Sequence, residues 1–586
     1  MKTISRNVFL IAAIALMCAG TAQAFQFEAS DSVKGSLDMQ LTLGAGMRMV
    51  EQNRNLIGDP GRNPGANTGF SSNGDDGNLN YNKGELFTTY LKFTPELLLK
   101  FPEEIKFMAR ATALYDFTAT NTERTNLADD AKDQAARDVR LLDLWVSKDL
   151  NIGSQRARVR VGNQVISWGE SIFAIGGINQ TNALDFQKLS IPGTQLKEAV
   201  IPAPIVSFAS GLGYGFNMEA YYQARWNRNR LPPVGTYFSV ADILGKGMQP
   251  LFLNVDPASS DFFNFGGLDP AADPSQANTF GVVFRDDKTP KNNGQYGVAV
   301  HYKPQGVSLD LGVYFMNYHD KMPVLGTMAD GVSAQWTFLE DRKMYGVSAN
   351  FPVGNWAVGW ELSYRPKDAV ALTGCYNPGG ALDAIGNGVT GIDCPMYIDM
   401  EKYQMHLTGL LSLTPGDHGW FLDLLKADTA TFTGEAVGIR YPGVSPAGRY
   451  YRSIGGASVM QAPAAGYGFW KNGTVDDGET TYNTIAAVGD EYSFGYTVDF
   501  NWAYDNKIIK GWTVIPGVTY FQAAKGNTPT LTANYLQGAK SMNMYVLFNQ
   551  SAPTRWQAGL NYTNYWGTNQ LLGDRDFIGG FLTRNF

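Results

Sequence analysis

From Val33 to Met49 the chain alternates for seventeen residues without a break. The odd positions read Val33, Gly35, Leu37, Met39, Leu41, Leu43, Ala45, Met47 and Met49; the even ones read Lys34, Ser36, Asp38, Gln40, Thr42, Gly44, Gly46 and Arg48. Successive side chains of a strand point to opposite faces, so this strand has one apolar and one polar face. Strands in soluble proteins usually run about five or six residues. A strand that crosses a bilayer needs about 9–11, plus whatever emerges beyond the headgroups. The segment is long enough to cross and emerge.

The pattern recurs. Phe107, Ala109, Ala111, Ala113, Tyr115 and Phe117 oppose Lys106, Arg110, Thr112 and Asp116; Phe216, Met218, Ala220 and Tyr222 oppose Asn217, Glu219, Gln223 and Arg225. Trp356, Val358, Trp360 and Leu362 oppose Glu361 and Ser363; Phe494, Tyr496, Val498 and Phe500 oppose Thr497, Asp499 and Asn501. Near the end Trp556, Ala558 and Leu560 oppose Arg555, Gln557 and Asn561. Aromatics gather at segment ends (Tyr222/Trp226, Tyr314/Tyr318, Trp556/Trp566), which suits girdles at two membrane interfaces. An open sheet in lipid would leave unpaired edges, so such strands must close on themselves. The expected fold is all-β, a transmembrane antiparallel up-and-down barrel of about sixteen strands, within a range of about 14–18, with long extracellular loops.

The first 24 residues read as a cleaved signal peptide: Lys2 and Arg6, an apolar stretch from Val8 to Ala19, then Ala22-Gln23-Ala24. Residues 25–586 are then one outer-membrane barrel with inserted loops. Phe586 closes the chain on an aromatic that resembles the recognition end used by barrel-assembly machinery, although Arg584 stands where an apolar residue is usual. Beyond the signal no run of 18 apolar residues occurs, which excludes transmembrane helices. The mean hydropathy of −0.20 fits a barrel whose polar lumen offsets its apolar exterior. A net charge of −7 gives no reason to expect nucleic-acid binding. Cys375 and Cys394 are expected to form a disulfide tying one long loop, given an oxidising periplasm and an even count.

Polar inserts rich in Gly, Asn and Pro lie at 52–80, 119–136, 231–291, 374–396 and 440–490, and should cluster on one rim or fold inward. The stretch 168–204 stands apart because it abandons alternation. It holds Trp168, Glu170, Ser171, Asn179, Asn182, Asp185 and Glu198 among Gly and apolar residues. Irregular backbone at membrane depth is tolerated where it lines a cavity, so the segment is the candidate lumen gate; the competing reading is a rim loop whose Asn, Gly and Pro make turns. Arg110, Glu219, Arg225, Glu361, Asp499 and Arg555 are the candidate lumen-facing charges.

The run Arg158 to Ser171, followed by Gly176-Gly177-Ile178-Asn179, Asn182, Asp185, Pro192-Gly193 and Lys197-Glu198, resembles a proteobacterial outer-membrane family catalogued as domain of unknown function 1302. Asp75 to Gly84, Pro233 to Phe238, Gly294 to Gly297, Tyr318-His319, Glu361 to Pro366 and Asp574 to Phe577 extend the likeness over nearly the whole mature chain. The resemblance implies an outer-membrane component of a trans-envelope route for a lipid or other hydrophobic compound. Its implied partners are a periplasmic lipoprotein-carrier-like protein and an inner-membrane transporter of the resistance-nodulation-division superfamily.

Other chemistries fare less well. Asp76, Asn78 and Asn80 begin like a calcium loop, but the sixth and twelfth positions are Tyr81 and Phe87 instead of Gly and Glu. The four histidines, His301, His319, His406 and His418, show no spacing suited to nucleophilic catalysis, so the chain is read as a non-enzyme. His319 reads as a satisfied interfacial residue, and nothing in the alternation singles out His406. The reading calls for no cofactor and accommodates bound lipid or detergent. The alternative function is a passive, porin-like channel for small or hydrophobic solutes, and an open polar lumen would favour it over a lipid conduit.

Overall fold

The computed structural model describes residues 25–30, 32–53, 56–57, 74–252, 281–380, 388–466, 488–551 and 555–586. The expected signal segment 1–24 lies outside them, as do parts of the expected loops at 58–73, 253–280, 381–387 and 467–487.

Alternation of the kind seen at residues 33–49 builds a closed antiparallel barrel of 18 strands, with one short strand, Phe25–Ser30, paired outside the ring. The strands are β1 Val33–Arg48, β2 Leu86–Lys100, β3 Ile105–Asp116, β4 Arg137–Ile152, β5 Gln155–Gln164 and β6 Ala203–Gly213. Next come β7 Phe216–Gln223, β8 Gln295–Tyr302, β9 Asp310–Tyr318, β10 Arg342–Val353, β11 Trp356–Ala371 and β12 Tyr397–Leu413. The ring continues with β13 Thr429–Arg440, β14 Tyr492–Asp505, β15 Trp512–Lys525, β16 Lys540–Gln550, β17 Trp556–Trp566 and β18 Phe577–Asn585. Each strand pairs with its predecessor, and β18 returns to β1 through a register running from Gln40↔Asn585 to Arg48↔Phe577. The backbones of Phe586 and Met39 extend this seam with a 2.8 Å hydrogen bond.

The strand number sits at the top of the expected range, not at sixteen. Turns such as Gly153-Ser154 and Gly354-Asn355 are so short that two strands read as one alternating run in the sequence. Gly153 and Gly354 take φ of 60° and 57°, the left-handed backbone that a two-residue hairpin demands.

The turns after β3's predecessor β2, and after β4, β6, β8, β10, β12, β14 and β16, lie on one rim, and the long connections lie on the other. Outward side chains form a broad apolar surface, with Val313, Val347, Met405, Leu407, Leu560 and Leu582 all exposed. An apolar surface of that extent around a closed barrel suits a lipid environment. Near the long-loop rim an outward aromatic ladder crosses five adjacent strands: Tyr296, Phe315, Tyr345, Tyr364 and Tyr403, with ring centroids 4.9–6.3 Å apart. Tyr314 and Tyr318 do not belong to the girdle. They are buried inside the lumen, because their parity along β9 is that of Met316. Arg584 fits its outward position by laying its guanidinium 5.0 Å from the Trp556 ring centroid.

The long-loop end is capped by packed connections. Ile243, Leu325, Trp336 and Val459 form a buried cluster with Cys375 and Cys394, which are bonded as a disulfide between β11 and β12.

Candidate functional site

The connection from β5 to β6, residues 165–202, turns into the barrel. Two one-turn helices stiffen it. The Asp185 side chain accepts from the Lys188 backbone N–H at 2.9 Å to start Phe186–Leu189, and Glu198 accepts from the Gln195 N–H at 3.2 Å to start Leu196–Ala199.

The first half of the loop is pinned to β7 and to β9–β13. The Trp168 indole N–H donates to Glu219 Oε2 at 2.8 Å, and its ring packs on Tyr221 and Tyr314. Glu361 of β11, fully buried, accepts from the backbone N–H groups of Glu170 at 2.5 Å and Ile178 at 3.0 Å. Glu435 of β13 accepts from the N–H groups of Phe173 at 2.6 Å, Ala174 at 2.7 Å and Ile172 at 3.3 Å. His406 of β12 lies between the two carboxylates, with Nδ1 2.7 Å from Glu435 and Nε2 3.8 Å from Glu361. Arg365 donates to the Gly177 carbonyl at 2.6 Å. Gly176 and Gly177 adopt φ of 97° and 63°, and a Cβ on Gly177 would collide with the Glu361 carboxylate. Both requirements point to glycine at this contact.

The second half is pinned to the opposite wall. Lys92 of β2 pairs with Glu198 at 2.5 Å and also donates to the Gly193 carbonyl at 3.2 Å. Thr94 donates to Glu198 at 3.1 Å, the Tyr90 hydroxyl donates to the Pro192 carbonyl, and Gln195 reaches Gln40 of β1 at 3.2 Å. Near the long-loop end Asp185 binds Arg140 at 2.8 Å, and Lys188 binds Asp138 at 2.9 Å. In the ring, β2 and β11 are nine strands apart in either direction. The loop therefore bridges opposite walls of the lumen.

Space remains beside it. A cavity of about 590 Å³ lies between residues 189–193 and the wall of β14–β18. Asp499, Thr519, Asn543 and Tyr545 give it a polar side; Ile191, Pro192, Phe577 and Phe581 give it an apolar one. Asp499 holds this wall in order by accepting from Thr519 at 2.7 Å and from Tyr545 at 3.0 Å. Ile172, Phe173 and Ile175 remain exposed on the loop surface. Burial, reinforced by Glu361, holds the Glu170 carboxyl above the usual carboxylate range, against the opposing hydrogen bond from Asn350.

Of the sequence candidates, Trp168 and Glu170 meet Glu219 and Glu361 directly, and Ser171 lies half-buried beside them. Asn179 and Asn182 bond to each other at 3.1 Å, and Asn182 bonds to the Ile166 backbone, so they stitch the loop to itself. Asp185 and Glu198 serve the other half. Arg110 faces inward and pairs with Asp143 and, at 3.7 Å, with Glu96.

Two lumen candidates are corrected. Arg225 lies two residues past the end of β7 and is exposed at the rim. Arg555 sits in the turn before β17 with φ 42° and lines the short-turn mouth beside Gln40, Glu96 and Lys197, not the lumen wall. In both cases the alternation was extended beyond the last paired residue. The calcium-like series is divided among separate contacts. Asn78 binds Arg48 and Asp574, and Asn80 binds Thr125, so neither amide shares a site with Asp76. Asp76 groups instead with Asp75 and Asp242.

His406, Glu435, Gln404, Arg365 and Lys92 were not singled out by sequence. The available signal was a polar side chain of inward parity in the middle of a long span, such as Lys92 between Leu91 and Phe93. His319 is satisfied by the Asn293 carbonyl at 2.9 Å and the Asp341 N–H at 3.0 Å.

A family model described as "Protein of unknown function (DUF1302)" matches residues 6–586. No curated protein matches the chain. Similar solved structures include Acinetobacter baumannii OccAB2, with 9% identity, 94% of this chain and 97% of that one covered, and a TM-score of 0.39. Pseudomonas aeruginosa OccK2 (OpdF) in complex with glucuronate has 8% identity, coverages of 94% and 97%, and a TM-score of 0.38. Pseudomonas aeruginosa OpdK with vanillate has 12% identity, coverages of 95% and 98%, and a TM-score of 0.37.

Proposed function

The chain belongs to the DUF1302 family, whose description assigns no function, and from its lumen we propose that it is an outer-membrane channel that admits amphipathic solutes past a fixed internal constriction. The observation that carries this reading is the loop 165–202 tied to opposite walls, with a cavity of about 590 Å³ left beside it. That volume is within the range of pockets that hold small organic molecules, about 300–1,000 Å³. The polar wall at Asp499 and Tyr545 and the apolar lip at Ile191 and Phe581 suit a solute with both characters. Passage down a gradient needs no covalent step and no cofactor. The outer-membrane assignment rests on the apolar exterior and its aromatic ladder.

The test is conductance of the purified full-length protein in planar bilayers, combined with swelling of liposomes in small amphipathic solutes. A small unitary conductance that such solutes interrupt supports the channel. A protein that neither conducts nor permits swelling is a sealed platform, and the reading fails. Exchange with a periplasmic carrier, which the family resemblance implies, would occur at the short-turn mouth beside Glu96, Lys197 and Arg555. Affinity purification of the tagged protein in mild detergent, with mass spectrometry of the eluate, tests for that carrier and for an inner-membrane transporter.

A further inference from the structure

At the long-loop end a second cavity of about 750 Å³ opens between the segments 228–231, 244–248, 284–287 and 321–323. Its aromatic lining is built by Phe284, which stacks on Trp336 with centroids 5.7 Å apart, and by Phe338. Most of its cations are already paired: Arg228 with Asp287, Arg230 with Asp138 at 3.0 Å, Lys246 with Asp130 at 3.5 Å and Arg285 with Asp330 at 2.7 Å.

Lys321 differs. It lines the same cavity at 8% exposure, and among the described residues no carboxylate lies within 4.0 Å of its ammonium. Its Nζ donates to the Asn227 carbonyl at 3.3 Å and the Asn227 side-chain oxygen at 2.9 Å, which uses two of its three N–H bonds. The neighbouring Asp320 is engaged by Arg342 at 3.2 Å, and Asp133 and Asp286 are exposed at the mouth, where solvent screens them. A buried ammonium without a counter-ion is costly, and that cost falls when an anion arrives. Burial accordingly lowers the lysine to about 7.

We infer that this cavity binds an organic carboxylate with an apolar, ring-sized body, the carboxylate on Lys321 Nζ and the body against Phe284, Trp336 and Phe338. An ammonium–carboxylate hydrogen bond is among the stronger polar contacts, and the volume suits a small organic molecule. Binding here is independent of whether the barrel conducts.

The probe is 1-naphthoate, titrated against full-length protein in lipid nanodiscs with empty nanodiscs as the blank, and read by quenching of tryptophan fluorescence. The expected result is saturable binding at pH 6 that weakens at least about tenfold by pH 9 as the ammonium is lost. The methyl ester, which has the same ring and no charge, should bind at least about tenfold more weakly than the acid at pH 6. Lys321→Met should abolish the preference for the acid, while Lys303→Met on the short-turn rim should leave it unchanged. Equal binding of acid and ester to the wild-type protein, affinity independent of pH, or no saturable binding above empty nanodiscs would each overturn the inference. The wild-type comparisons decide the matter even if the Lys321 variant fails to fold.

Discussion

Glu435→Ala is the sharpest perturbation of the pinned loop. One carboxylate holds three successive backbone N–H groups, those of Ile172, Phe173 and Ala174, two of them at 2.6–2.7 Å. A hydrogen bond to a charged group contributes about 1.5–3 kcal/mol net. The freed amides would meet lumen water, so the lower end applies, and the two short bonds together give about 3 kcal/mol. Since about 1.4 kcal/mol is a factor of ten, the ratio of pinned to released loop should fall about 100-fold. Glu435→Gln keeps an acceptor oxygen without the charge and should lose about tenfold. Amide hydrogen exchange at residues 172–174 reads the change directly, and planar-bilayer recordings should show larger, noisier openings. If Glu435→Ala left both the exchange at 172–174 and the conductance at wild-type values, the pin would be decorative and the reasoning wrong.

Three further outcomes follow from the same structure. Lys92→Met should cost about 3–5 kcal/mol by stranding the buried Glu198 carboxylate, and adding Glu198→Met should recover much of it; thermal melting in detergent compares the two. Replacing Cys375 and Cys394 by Ser removes a link across a sequence separation of 19, worth about 3 kcal/mol by chain entropy, and should speed proteolysis of that loop while heat-modifiable mobility persists. In the unfolded chain Lys321 holds its proton to about pH 10.5, whereas the folded one releases it near 7, so stability should rise with pH across that window. Asp320, raised by burial from 3.8 to about 7, binds its proton more tightly when folded, so its contribution falls as pH climbs from about 4 to 7. Melting temperature against pH should dip near neutrality, and Lys321→Met should flatten the alkaline limb.

Much of the wall was legible because lipid on one side and polar lumen on the other impose a strict period of two. Val33–Arg48 is the plainest case. The period fails to say where a strand stops, so it carries Arg225 and Arg555 past the ends of their strands and leaves the strand count a range. The bridging loop announced itself by loss of period. Its partners did not, because Glu361, His406 and Glu435 lie on three consecutive strands and meet only through the register in which those strands pair. A single inward carboxylate in the sequence looks the same whether it lines water or grips a backbone. The glycines carried the missing hint: at Gly176-Gly177, paired left-handed backbone marks a close approach to something, although the sequence does not say to what.

A ring of hydrogen-bonded strands resists stretching along its circumference much better than it resists being squashed. Eighteen strands closed into a ring would deform readily toward an ellipse under lateral pressure from the bilayer. The loop tied at β2 on one side and at β11 and β13 on the other acts as a cross-brace along one diameter. It sets the width of the barrel along that line and leaves the perpendicular line to the strands alone. The cross-section of the barrel is then a property of one taut segment of irregular backbone, and shortening or lengthening that segment by a residue would reshape the whole cylinder.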